Sequence, residues 1–359
     1  MTRWLGALIG LAGLFAAHPA DAFDPARIGD LAENADFAGV ILVSHGDTII
    51  YERAFGEMIP GSGRRHDLDA RWRWASITKQ VIATIAMQET EAGTLDLDAP
   101  IARYWPEFPN DARDAITIRH LMQHRSGLPN PDKTPLTRAG LPAFYASDGE
   151  SLTPADAYCA GPVEAEPGSR YSYNNCDFIV LGAILERVTG TPLAQLVASR
   201  ISANVLFFPD GGATVPGFHF GEAEPPFRFA AYGAAGGLNG TVHDLWRFDR
   251  ALMTGELLGA DRRAEMWTGD PELGHAALGQ WELPLSLTGC DAPVRLVERH
   301  GGIGGVQARN FILPESDMTV IAFINRSPAE FDFGQVWRGE GFAHDLLALA
   351  ACDWEDGEE

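Results

Sequence analysis

Lysine is almost absent from this 359-residue chain: there are two, Lys79 and Lys133, and the remaining basic residues are arginine. Basic charge is scarce altogether. Lys and Arg number 27 against 49 Asp and Glu, a formal net charge of −22. That balance excludes nucleic acid as the expected partner and argues against electrostatic binding to an anionic membrane surface. No Gly-x-Ser-x-Gly elbow occurs, which disfavours an α/β-hydrolase. There is no Walker loop, and the glycine-rich run at 301–305 fails the dinucleotide pattern because position 307 is Gln. His120 and His124 are spaced like two metal ligands, but Leu121 stands where a catalytic Glu would be and no third ligand is obvious, so a structural role in a loop next to the active-site cleft is expected instead. Neither a metal nor any other cofactor is therefore expected. No repeat of 20–50 residues is visible, and the composition is that of an ordinary globular protein.

The N-terminus reads as a secretory signal peptide. Arg3 gives a basic start, Trp4 to Ala17 carries no charge, and Ala20-Asp21-Ala22 is a small-x-small end. Cleavage is expected after Ala22. The apolar part is too short to cross a bilayer, so no membrane span is expected once the signal is removed, and the mature protein is read as exported, periplasmic or secreted. An uncleaved N-terminal anchor is the alternative. The four cysteines allow three pairings, of which Cys159–Cys176 with Cys290–Cys352 is the simplest; free thiols are the other possibility.

Strand patterns sit at both ends of the chain. Ala38 to Phe55 reads as a hairpin about Ser44-His45-Gly46-Asp47, and Gln307–Leu313 with Met318–Ile324 as another about Pro314 to Asp317. Arg295–Arg299 is a further strand. Helical stretches follow Ser76, run from Phe178 to Val188 up to Gly190, from Thr241 to Met253, and from Gly341 to Ala351, with a short piece at Ile118–Gln123. The pattern predicts an α+β fold, with an antiparallel sheet formed by both termini, flanked by helices, and a mainly helical subdomain inserted. The expected division is a signal at 1–22, an α/β part at about 23–95 and 225–351, a helical part at about 96–224, and an acidic tail at 352–359.

The placement of one lysine carries the first functional signal. Ser76-Ile77-Thr78-Lys79 opens an apolar run, and residues three apart share a helix face. Unlike Arg, a desolvated Lys can lose its proton and act as a base, so a serine beside it reads as an activated nucleophile. The bland alternative is a helix cap followed by a solvated Lys. A second signal is Pro167 to Asn175, where a Pro-Gly turn precedes Tyr173 and Asn175. A phenol is a useful base only beside a cation that stabilises phenolate. On its own this is a packed Tyr and a turn-forming Asn. A third signal is His300-Gly301-Gly302-Ile303-Gly304-Gly305, read as lying between two late strands. Glycine there lets a substrate approach a backbone edge that can donate to an oxyanion. Trp72 and Trp74, just ahead of Ser76, are expected in the core.

Taken in order, Ser-x-x-Lys, Tyr-x-Asn and His-x-Gly resemble the serine β-lactamase-like family, which includes class C β-lactamases, DD-peptidases and related esterases. Leu121 to Leu128 and Gly236-Gly237-Leu238 leading to Asp244-Leu245 are also similar, and the resemblance runs from about Gly39 to Asn325. It implies that Ser76 is acylated, that Lys79 and Tyr173 move its proton, and that Asn175 holds substrate and orients Lys79. It implies an oxyanion hole from the backbone N–H groups of Ser76 and Ile303, with His300 and Gly302 along the substrate. One departure counts: class C β-lactamases carry Lys where this chain has His300, and His is mostly neutral at pH 7. Peptidase, amidase or esterase activity is therefore expected ahead of strong β-lactamase activity. The expected substrates are D-amino-acid peptides or small esters. A weak β-lactamase and a penicillin-binding protein without turnover are the alternatives.

Overall fold

A computed structural model of the chain describes residues 23–146, 157–208 and 214–352. The signal segment and the acid-rich end from Asp353 lie outside the described residues. The first part of the chain forms α1 (Pro25–Asn34), β1 (Gly39–His45), β2 (Thr48–Ala54), β3 (Trp72–Arg73) and α2 (Thr78–Glu91). The middle forms α3 (Ile118–Met122), α4 (Asn175–Thr189), α5 (Leu193–Arg200), β4 (Leu206–Phe207), β5 (Phe218–His219) and β6 (Glu222–Ala223). The last part forms α6 (Gly233–Gly236), β7 (Leu238–Gly240), α7 (Val242–Thr254), α8 (Ala260–Met266), β8 (Trp281–Leu285), β9 (Val294–Ile303), β10 (Val306–Leu313), β11 (Met318–Ile324) and α9 (Phe342–Ala351).

The main sheet is antiparallel, in the order β2-β1-β11-β10-β9-β8. The expected antiparallel sheet built from both ends is present, since β1 from the start pairs with β11 from the end, Gly39 facing Ile324 and His45 facing Met318. Val40-Ile41-Leu42-Val43 and all of β11 are buried, because both sheet faces are covered. Alternation sorts their side chains. Ile41 and Val43 join one cluster with Ile28 of α1 and Leu346 and Leu347 of α9, while Val40 and Leu42 join the core around α2. Gly39 is required where β1 crosses β11, since a Cβ there would stand 1.8 Å from the Phe323 carbonyl oxygen.

Helix α2 is buried on every side, from Thr78 through Met87. That explains the nearly continuous apolar run in its sequence: it is the central helix, between the sheet and helices α4, α5 and α8. Its polar residues are tied down. Asn310 of β10 donates at 3.0 Å to Gln80 and at 2.8 Å to Asp249 of α7, joining sheet, central helix and outer helix in one buried link. The two simplest cysteine pairs are the disulfides formed: Cys159–Cys176 holds the start of α4, and Cys290–Cys352 holds the end of α9 to the β8–β9 connection. Trp72 and Trp74 are fully buried, as expected. Among the described residues, no helix is long and apolar enough to cross a membrane.

Two elements differ from the sequence reading. The helix after Ser76 begins at Thr78, and Ser76 sits in a preceding 3₁₀ turn, Ala75–Ile77. The strand read as Arg295–Arg299 continues to Ile303, so His300 to Ile303 lie within β9 and only Gly304 and Gly305 lie between strands, in the turn to β10. Gly301 and Gly302 lower the strand propensity of this segment, but pairing with β10 overrides it: Gly302 faces Gln307 and Ile303 faces Val306.

Candidate active site

Ser76 is presented by a strained turn. Ala75, immediately before it, has φ of +47°, a conformation that non-glycine residues rarely adopt and that surrounding packing must enforce. That packing comes from β9. A Cβ on Gly301 would meet Ser76 N at 2.7 Å and the Trp74 carbonyl oxygen at 2.6 Å. Gly301 therefore serves the close approach of strand and nucleophile turn, a different use from the substrate access read from the sequence. Gly302 fits that earlier reading better: the nearest atom to a Cβ there is 3.8 Å away, and the residue lines the cavity.

The sequence-predicted residues converge. Ser76 Oγ lies 2.6 Å from Tyr173 Oη and accepts from Lys79 Nζ at 3.2 Å. Lys79 Nζ also donates to Asn175 Oδ1 at 2.7 Å and to the Ala235 carbonyl at 2.6 Å. Lys79 is fully buried, which sets aside the solvated-lysine alternative. His300, Gly302 and Ile303 border the same cavity of about 420 Å³ above Ser76. His300 stacks flat on Trp281, ring centroids 5.0 Å apart, with Nδ1 3.7 Å from the buried Glu298 carboxylate. Among the described residues no group of three or more His, Cys, Asp or Glu is placed to hold a metal ion.

Helix α4 delivers two of these groups from its first residues. Asn174 caps it, its Oδ1 accepting from Cys176 N at 2.8 Å, so Tyr173 stands just outside the helix and Asn175 in its first turn. The Cys159–Cys176 bridge fixes the next residue. Asn175 Nδ2 donates to Tyr145 Oη at 2.9 Å and to Asp132 Oδ1 at 3.3 Å, which orients the amide oxygen toward Lys79.

Several residues with a part in the site gave no sequence signal. Arg299, 1% exposed, donates from Nε to the Ser76 carbonyl at 3.0 Å and from a terminal nitrogen to Tyr173 Oη at 3.2 Å. Its guanidinium also faces the Trp281 ring at 4.7 Å. A lone Arg at the end of an apparent strand carries no pattern to single it out. His124, expected to have only a structural role in its loop, packs against the Tyr173 ring with centroids 4.6 Å apart. Its Nδ1 lies 3.0 Å from Asp177 Oδ2 and accepts from Asn174 N at 3.3 Å, and Ser126 donates to the same carboxyl group. His120 is a structural cap, part of a capping box with Thr117.

The electrostatics follow from burial beside cations. Burial pushes the Lys79 ammonium down to about 8, and Arg299 adds to the shift while Tyr173 opposes it. Burial alone would raise the Tyr173 phenol; the positive charges of Lys79 and Arg299 and hydrogen bonds from Lys79 and Ser76 outweigh it and hold the phenol below its ordinary value. Burial drives His124 well below the imidazole range and Asp177 well above the carboxylate range. Both directions favour a neutral His–acid pair over an ion pair in this dry site.

A serine joined to both an amine and a phenol at hydrogen-bonding distance is the geometry of an activated nucleophile. The family model described as "Beta-lactamase" matches residues 26–344. The chain belongs to the β-lactamase family, a family of serine hydrolases. It is 35% identical to "Esterase EstB" of Burkholderia gladioli over 208 residues, about half of each chain (52% and 51%). It is 30% identical over 332 residues to "Putative D-alanyl-D-alanine carboxypeptidase" of Escherichia coli K12, covering 84% of this chain and 68% of that one. Among solved structures, a D-stereospecific amidohydrolase from Streptomyces sp. superposes with a TM-score of 0.70 at 23% identity, over 92% of this chain and 99% of the other. That likeness shows the shared α+β fold, the β-lactamase/DD-peptidase-like architecture expected from the motifs.

Proposed function

We propose that the protein is an exported serine hydrolase that cleaves an amide or ester bond through an acyl-enzyme on Ser76, with D-amino-acid peptides or small esters as its substrates. The observation that carries this reading is Ser76 Oγ held between Tyr173 Oη and Lys79 Nζ beneath an open cavity. Lys79 and Tyr173 form one coupled pair, and the active form has lost one proton from it. That pair takes the Ser76 proton as Oγ attacks the substrate carbonyl, then passes it to the leaving nitrogen or oxygen. Asn175 Oδ1 and the Ala235 carbonyl keep the amine aimed at Oγ. The backbone N–H groups of Ser76 and Ile303 receive the developing oxyanion, and Gly302 leaves room beside it. Water, activated by the same pair, then releases the acyl group. Export is supported by the signal-like first 22 residues and by two disulfides, which persist in oxidising compartments.

The test is mass spectrometry of the mature protein after a fluorophosphonate and, separately, a penicillin, with Ser76→Ala as control. One adduct mapping to Ser76 is expected from the fluorophosphonate. A long-lived penicillin adduct would favour peptidase chemistry, and rapid release of hydrolysed penicillin a β-lactamase. A folded protein that takes no adduct from either reagent would refute the proposal.

A further inference from the structure

The two backbone donors assigned to the oxyanion come from distant parts of the chain. Ser76 follows β3, and Ile303 ends β9. Two N–H groups stabilise one oxyanion only if both point at the same spot, so their relative position must be fixed before the reaction begins. The close approach of Gly301 to the nucleophile turn is one tie between them. A second lies outside the cavity.

Arg73, in β3 just ahead of the nucleophile turn, is 1% exposed. Its Nη1 lies 2.7 Å from Glu224 Oε1. The other oxygen of that carboxylate accepts from Gly305 N at 2.9 Å, in the turn that follows Ile303. One carboxylate thus joins the strand that leads into Ser76 to the turn that leaves Ile303. Glu224 is itself held in place. It follows β6, and its N donates to the Gly217 carbonyl at 3.1 Å. The segment before it is pinned on two sides: Val215 N donates to the Arg71 carbonyl at 2.9 Å, and Ser327 N to the Phe218 carbonyl at 3.0 Å. Small residues make the room. A Cβ on Gly217 or Gly304 would collide with Glu224 Oε2, and one on Gly305 with the backbone of Phe218. The Phe229 ring covers the Arg73 guanidinium, 4.7 Å from its centroid.

Neither Arg73 nor Glu224 borders the cavity, so neither faces the substrate. Stability is a weak reason for such a pair, because the lost hydration of two buried charges offsets their attraction. What sets this pair apart is its place between the two donors.

We propose that Glu224, paired with Arg73, is a positioning residue that fixes Ile303 N relative to Ser76 N and so tunes the oxyanion hole from outside the cavity. The proposal rests on the acyl-enzyme reading above and adds to it the device that aligns its two donors.

The test compares p-nitrophenyl acetate with its thiono analogue, in which sulfur replaces the carbonyl oxygen. Sulfur is larger and a poorer acceptor, so aligned donors favour the oxygen ester and misaligned donors favour it less. Glu224→Gln keeps one oxygen where the site needs two acceptors, and Glu224→Ala keeps none. The oxygen-to-sulfur ratio of kcat/KM is expected to fall about threefold in Glu224→Gln and about tenfold in Glu224→Ala. The double variant Arg73→Met/Glu224→Leu fills the same space with apolar side chains. Its Tm is expected to stay within about 3 °C of the starting protein, while its ratio falls as in Glu224→Ala. Should the double variant fail to fold, Glu224→Gln decides alone. Equal losses on the two esters, or the original ratio in the double variant, would show that the pair only fills space and would overturn the proposal. If Ser76 of the unaltered protein takes no fluorophosphonate adduct, the acyl-enzyme reading falls instead.

Discussion

Replacing each disulfide in turn by a pair of alanines should separate stability from activity. The bridges close separations of 17 residues for Cys159–Cys176 and 62 for Cys290–Cys352. Loop-closure entropy assigns them about 3.1 and about 4.3 kcal/mol of stabilisation. Cys159 and Cys176 are fully buried, so their truncation adds about 1 kcal/mol of lost packing and brings the two costs level at about 4 kcal/mol. For a chain of this length that corresponds to a fall in Tm of about 6 °C in either variant. Activity should not fall equally. Cys176 follows Asn175 in the first turn of α4, and Asn175 Oδ1 holds Lys79 at 2.7 Å. Cys290 and Cys352 pack at the edge of the cluster on the far face of the sheet. Differential scanning calorimetry, with kcat/KM on a p-nitrophenyl ester at 25 °C, reads both quantities. Cys159→Ala/Cys176→Ala should lose about tenfold in kcat/KM, the size of one weakened hydrogen bond in the site, and Cys290→Ala/Cys352→Ala less than about twofold. Equal activity losses in the two variants would refute the idea that the short bridge holds the catalytic end of α4.

Three other outcomes are expected. The acid limb of kcat/KM should lie near pH 8, rising with pH as the Lys79–Tyr173 pair loses a proton, because burial holds Lys79 at about 8. Arg299→Met removes a cation that favours that proton loss, so the limb should move up by about one unit, while Arg299→Lys restores part of the shift; a limb that stays in place in Arg299→Met would count against the role of Arg299. Asp177→Asn should stabilise the protein at pH 7 in urea unfolding but not near pH 3. The sign follows from a folded-state carboxyl raised above its unfolded value, whose contribution is complete at low pH and is lost as pH rises toward the folded value. Gly301→Ala should abolish most activity by driving a methyl group against Ser76 N, whereas Gly302→Ala, with its nearest neighbour at 3.8 Å, should cost less; kcat/KM of the two variants, with circular dichroism to check folding, decides it.

What was legible in the sequence was local or ordered by motif. The apolar strand runs of Val40 to Val43 and of Met318 to Ile324, and the helical stretch from Thr241 to Met253, could be read directly because each depends on neighbours in sequence. Ser76, Lys79, Tyr173 and Asn175 were found because their spacing repeats a family pattern, and the structure brings them within hydrogen-bonding distance of one another. Arg299 and Asp132 were invisible because their roles depend on partners far away in the chain: Ser76 and Tyr173 for one, Asn175 for the other. The extent of β9 was misjudged for the same reason, since its glycines are held in strand form by β10 and by the nucleophile turn. Trp281 carried no signal of its own in the sequence, yet it forms a wall of the cavity that no periodicity announces.

The pairing of β1 with β11 has a consequence for how the chain comes into being. A ribosome adds about 5–20 residues each second, so β1 waits tens of seconds before its partner exists. During that interval its apolar edge faces solvent, the central helix lacks one wall, and the nucleophile turn lacks the strand that enforces its geometry. Activity cannot mature gradually along the growing polypeptide; it arrives with the last strands, in one late closure. Such long-range order predicts slow folding and dependence on a holding chaperone for nascent chains, and it means that a protein cut short before residue 318 has no partial function to lose.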